Sequence, residues 1–146
     1  MRLNEKIARG YIFVFPQLFN LIPNDTGEQL TMFKCVISAG AKIAAPHYHK
    51  GFDETVYGLK GTASYTVDGK AIELNPGDSL FIPRGTVHAF ANKGDETIEF
   101  LCVISPGLMG PDYFYDIAKV INAGGPPDMV KLKDTMLSHG LVPVAG

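Results

Sequence analysis

Between residues 30 and 105 the chain repeats one pattern: a short apolar run, then a turn carrying glycine, proline or asparagine. The runs are LTMFKCVIS (30–38), ETVYGLKG (54–61), TASYTV (62–67), SLFIP (79–83), TVHAFAN (86–92) and ETIEFLCVIS (96–105). Glycine and proline fall mostly between these short apolar runs, so the runs read as strands joined by turns. In the last run Ile98, Phe100, Cys102 and Ile104 share a face by alternation. Asp68-Gly69 has the composition of a two-residue hairpin turn. Asn75-Pro76-Gly77-Asp78 places proline and glycine where a type II turn wants them. Gly58 and Gly61 mark bends or bulges. Strands at this spacing predict an all-β sandwich or barrel.

After Gly107 the period changes. In PDYFYDIAKVINAGG, residues Tyr113, Phe114, Ile117, Val120 and Ile121 recur at helical spacing, with Asp112 as the expected N-cap. PPDMVKLKDTMLSHG opens on Pro-Pro-Asp and stops at Gly140, a second helix. Neither could bury its apolar face alone, so the pair is expected to cap the outside or one end of the barrel. With 146 residues, one domain spanning 1–146 is expected: a barrel over about 10–106 and helices over about 111–140. The first 29 residues are expected to add one or two edge strands.

Charge narrows the partners. Thirteen basic and fifteen acidic residues are mixed along the chain, for a net charge of −2. No basic patch suits nucleic acid or an anionic membrane, and a small-molecule substrate is the expected partner. YIFVFPQLFNLI is interrupted by Pro16, Gln17 and Asn20 and is too short to span a bilayer, so a cytoplasmic location is expected. Cys35 and Cys102 each sit in a strand-like run and read as buried thiols.

Two of the four histidines stand one residue apart in PHYHKGFDE. On a strand, His47 and His49 would project to one face and Tyr48 to the other. The short link that follows lets Glu54 be offered from the start of the next strand. The cluster is either a metal-binding edge or a chance grouping on a polar loop. A third imidazole would come from His88 or His139. His139 ends the last expected helix, where a cation suits the helix terminus, and reads as structural; His88, returning from the Pro83-Arg84-Gly85 turn, is the better candidate.

These residues carry a resemblance. Gly77, Pro83, Gly85, His88 and Asn92 match the second cupin motif, Gly-x5-Pro-x-Gly-x2-His-x3-Asn, without a gap. His47, His49, Glu54 and Gly61 match the first, although Gly40 is separated from His47 by six residues where the motif has five. The chain is similar to small single-domain metal-binding cupins of the quercetinase-like type, and its helices resemble their tail. The resemblance implies a double-stranded β-helix, or jelly-roll barrel, with a short C-terminal helical pair. It further implies one divalent transition metal (Fe, Mn, Ni, Cu or Zn) held by His47, His49, Glu54 and His88. The alternative for the same residues is a set of hydrogen-bonded interior histidines.

A quercetinase-like dioxygenase is the first functional expectation, with Glu54 able to leave the metal and shuttle a proton. A metal-dependent isomerase, decarboxylase or polyketide-type cyclase without oxygen chemistry is the alternative, as is a non-catalytic small-molecule-binding or sensing cupin. Phe33, Phe81, Phe90 and Phe100 are expected in the core, and Phe90 shares the parity of His88, which makes it a candidate for the substrate pocket. Asp53 and Arg84 read as surface residues, and Asn92 as closing a turn. A homodimer formed through an edge such as YIFVF is expected.

Overall fold

A computed structural model of the chain describes residues 19–41 and 45–144. The YIFVF edge and the start of the expected barrel lie outside these residues. Ten strands are described: β1 (Phe19–Leu21), β2 (Thr31–Ile37), β3 (His47–His49), β4 (Asp53–Lys60), β5 (Ala63–Val67), β6 (Lys70–Leu74), β7 (Ser79–Ile82), β8 (His88–Ala91), β9 (Ile98–Ser105) and β10 (Leu141–Pro143). Helices α1 (Pro111–Ile121) and α2 (Met129–Ser138) stand between the last two. The strands form two antiparallel five-stranded sheets, ordered β1-β2-β9-β4-β7 and β10-β3-β8-β5-β6.

The first sheet is built on alternation. Every second residue of β2 and β9 is buried, and the two strands pair without a break from Thr31↔Ile104 to Ile37↔Ile98. Phe33, Cys35 and Ile37 therefore face the core together with Phe100, Cys102 and Ile104. From the second sheet, Ala63, Tyr65, Leu74 and Leu141 join the same core. Phe90 and Phe100 meet edge to face at 5.3 Å between centroids, closing the space between the sheets. Each such apolar side chain removed from water contributes about 1.5–3 kcal/mol.

The turns follow the sequence. Asp68 and Gly69 both have positive φ, 50° and 76°, as a type I′ hairpin between β5 and β6 requires. Asp78 donates to the Asn75 carbonyl at 3.0 Å and Gly77 has φ 90°, the arrangement of a type II turn. At Gly58 the register with β9 slips, and a side chain there would collide with the Asn75 carbonyl.

Three expectations need correcting. Asp112 does not cap α1. Pro111, with its φ preset, takes the first helical position, so the cap falls on Gly110 and Asp112 lies in the first turn. Phe81 is 58% exposed and lies outside the core. Its neighbour Ile82 is the inward residue, paired with buried Glu54, so parity sends the aromatic ring outward beside Thr55. The third concerns the chain after Gly140, where no strand was expected. There β10 returns to pair with β3 in the register Leu141↔His49, Val142↔Tyr48 and Pro143↔His47.

Candidate metal centre

Strand β3 is three residues long, and its pairing to β8 consists of one register pair, His47↔His88. Its other side is held by β10 and by two flanking bonds, from Lys50 N to the Gly140 carbonyl and from Val144 N to the Pro46 carbonyl, both 2.9 Å. Gly85 N donates to the His49 carbonyl at 2.8 Å, tying the turn before β8 to the same strand. The alternation expected of HYH holds: His47 and His49 are buried and Tyr48 is half-buried on the other face.

The rings of His47, His49 and His88 lie 4.7 to 5.2 Å apart between centroids, and one nitrogen from each falls within 4.8 Å of the others. His47 Nδ1 is 2.9 Å from the Ala45 carbonyl, and His88 Nδ1 is 3.0 Å from the Thr86 carbonyl. A carbonyl only accepts, so in both rings Nδ1 carries the proton and Nε2 keeps its lone pair. Each ring is thus oriented by the backbone two residues before it, the kind of outer support that metal-binding histidines use. His49 stacks on Phe52 at 4.6 Å, and its Nδ1 is buried with no partner among the described residues.

Burial pushes the pKa of His47 down to about 4, helped by the neighbouring His88. His49 is held lower still by burial and by both other histidines, and burial also lowers His88. The cluster therefore resists protons while offering lone pairs, which suits a Lewis-acid cation. With an unpartnered buried nitrogen and three neutral imidazoles, the residues fit a divalent transition metal. His47, His49 and His88 could hold one.

Glu54 approaches from the opposite sheet, on β4 between β7 and β9. Its carboxylate lines the same cavity but does not join the three imidazoles at the 4.8 Å spacing. Burial raises its pKa to about 7. Of the four positions implied by the motifs, three are drawn together and the fourth faces them across the barrel.

The cavity measures about 90 Å³. Phe90 lines it as parity required, stacked on Tyr65 at 5.2 Å, and Phe33 joins it while Phe100 stays in the core. Cys35 and Cys102 are buried thiols with Sγ atoms 3.7 Å apart, and both reach the cavity wall. The helical pair closes one end, supplying Tyr113, Phe114, Ile117 and Met136. The apolar stripe of α1 was visible in the sequence; its destination was not.

The remaining candidates lie outside the cavity wall. Asp53 accepts from the Arg84 backbone N at 2.8 Å and from its guanidinium at 3.2 Å, so Arg84 is half-exposed but paired. Asn92 is buried and closes its turn as expected, bonding Gly94 N, the Glu96 carbonyl and, across to the end of β2, the Ile37 carbonyl. His139 joins Asp116 Oδ2 at 2.8 Å and clasps α2 to α1, a structural role.

Two antiparallel sheets thus enclose three converging histidines. A family model described as the cupin domain matches residues 33–104. The chain carries a cupin domain. The match takes in both histidine strands, while the helical pair of this cupin lies outside it. Quercetin 2,3-dioxygenase of Bacillus subtilis is 42% identical over 65 residues, 44% of this chain and 19% of that enzyme. The chain thus spans about a fifth of that relative's length. A tetracenomycin polyketide synthase protein of Streptomyces glaucescens is 26% identical over 75% of this cupin and 74% of that protein. Among solved structures, a predicted oxalate decarboxylase from Thermotoga maritima superposes with a TM-score of 0.55 and 27% identity, covering 58% of this chain and 74% of the other. Relatives with such different names show that the fold leaves the reaction open.

Proposed function

We propose that this cupin is a metal-dependent enzyme acting on a small organic molecule with an apolar, aromatic or polyketide-like body and one oxygen-bearing edge. Quercetinase-like oxygenation is the first reading. One observation carries it: three neutral imidazoles and a carboxyl group are set into a wall that is otherwise apolar or thiol, apart from one phenol. No lysine or arginine among the described residues lines the cavity, so a phosphate or a second carboxylate would be buried there without a counter-charge. Phe33, Phe90 and Phe114 suit a flat apolar body instead.

His47, His49 and His88 would hold the metal, with Glu54 as the further ligand. A bound metal would supply Lewis acidity toward a hydroxyl, carbonyl or enolate oxygen of the substrate. Burial raises the pKa of Glu54 to about 7 when no cation is beside it, so on leaving the metal it could accept a proton from a substrate hydroxyl on a carboxylate oxygen. The helical pair excludes water above it, and the aromatic residues fix the substrate's plane.

Oxygen consumption by iron-, nickel- or copper-loaded protein with a flavonol tests this reading. Turnover that needs oxygen and fails in the metal-free protein is the expected result. Product formation unchanged without oxygen would move the assignment to a redox-neutral cyclase, isomerase or decarboxylase. That second reading is favoured by the match to the Streptomyces glaucescens protein, which covers three-quarters of both chains. Tight ligand binding without turnover under any metal would leave a binding or sensing cupin.

A further inference from the structure

We infer that Tyr113 is a specificity residue, donating a hydrogen bond from its phenol hydroxyl to an oxygen of the substrate bound in the cavity. The inference rests on the metal-centred reading above. It extends that reading to a helix outside the residues matched by the family model.

Tyr113 lines the same cavity as His47, His49, His88 and Glu54, and carries the one hydroxyl among the described lining residues. The residue is buried, yet its hydroxyl makes no hydrogen bond to any described residue; the polar contacts of the helical pair go elsewhere, to the Asp116–His139 clasp and the Asp128 cap. The Tyr113 hydroxyl is not one of the sealed, unpartnered polar atoms, so its donor is open to an oxygen of a ligand in the cavity. Tyr65 offers a contrast, since its unpartnered hydroxyl is sealed in the core and does not reach the cavity.

The ring is held in place. It packs against Phe114 at 5.0 Å and His139 at 5.3 Å, and His139 is itself anchored to Asp116 on the next turn of α1. Upstream, the Thr31 hydroxyl fixes the Met109 carbonyl at 3.0 Å, just before the helix begins. Burial pushes the phenol's pKa above its ordinary value, so at neutral pH it keeps its proton and is a donor. A site that presents such a donor discriminates against analogues lacking the matching acceptor.

The test is a titration of cobalt-loaded protein with 3-hydroxyflavone without oxygen, following the flavonol absorbance, in wild type, Tyr113→Phe and Tyr115→Phe. Metal content is measured in each by elemental analysis. Tyr113→Phe should bind the flavonol roughly five- to tenfold more weakly at unchanged metal content. Tyr115→Phe, an exposed position on the same helix, should match wild type. Equal affinity of Tyr113→Phe and wild type overturns the inference. If metal-loaded wild type leaves the flavonol unbound, the aromatic-substrate reading fails, and acetohydroxamate, an oxygen chelator that needs no aromatic pocket, then decides the hydroxyl. Weaker acetohydroxamate binding by Tyr113→Phe supports the assignment and equal binding sinks it. Protein that takes up no metal overturns both readings.

Discussion

Leu141 is the register partner of His49: the strand formed after both helices lies against the strand that presents two of the three imidazoles. Leu141 is buried and lines the cavity, so it supports β3 and shapes the site at once. Leu141→Ala should lower stability by about 2–5 kcal/mol through the cavity it leaves. Metal affinity should fall roughly tenfold as His49 loses its support. Urea unfolding and competition with a chromogenic chelator read the two effects. Unchanged metal affinity would show that β10 does not position the histidine.

His88 is the only imidazole of the three that comes from β8, directly opposite His47. His88→Ala should lose metal by much more than the roughly 10–100-fold that removal of an outer partner costs. Elemental analysis after reloading checks this. Equal metal content in variant and wild type would mean the ligand assignment is wrong.

Acid should destabilise the metal-free protein. His47 titrates near 4 when folded against 6.5 ordinarily, and His49 and His88 are shifted the same way. As pH falls from 6.5 toward 4, the unfolded chain takes up protons that the native cluster refuses, so stability drops. Glu54 opposes this. Its folded pKa is raised from 4.5 to about 7, so the stability it contributes is present below 4.5 and lost as pH rises through 7. Three histidines outweigh one carboxyl group between 4.5 and 6.5, and Glu54→Gln should steepen the acid loss. Urea midpoints in the presence of a chelator test the sign; a midpoint that rises on acidification contradicts it.

Asn92 holds three backbone groups from a buried position, including the Ile37 carbonyl at the end of β2. Asn92→Ala should cost about 2–4 kcal/mol, because the lost bonds leave buried groups unsatisfied. Its metal content should stay at the wild-type level, since Asn92 does not line the cavity. A stability loss of a few tenths of a kcal/mol or less, read from urea unfolding, would reduce the residue to an ordinary turn.

Much of the barrel was legible in the residues. Strand alternation placed Ile98, Phe100, Cys102 and Ile104 on one buried face, and the same parity put His47 and His49 together and Phe90 in the pocket wall. Parity failed only where residue type was allowed to override it. Phe81 was expected inside because it is aromatic, although its neighbour Ile82 already held the inward position. Asp112 was expected to cap a helix because of its chemistry, while Pro111 had already taken the first helical position.

The sequence by itself determined the local grammar of this protein: which residues form strands, where turns need positive φ, and which histidines share a face. These follow from dihedral preference and two-residue periodicity, both readable from neighbours. Tertiary structure alone decided that Glu54 faces the imidazoles from the opposite sheet and that α1 turns Tyr113 and Phe114 onto the cavity. It also brought β10 back beside His49. Leu141-Val142-Pro143 is too short to show a period, and its partner lies far upstream. Only closure of the chain around a shared core makes that pairing favourable.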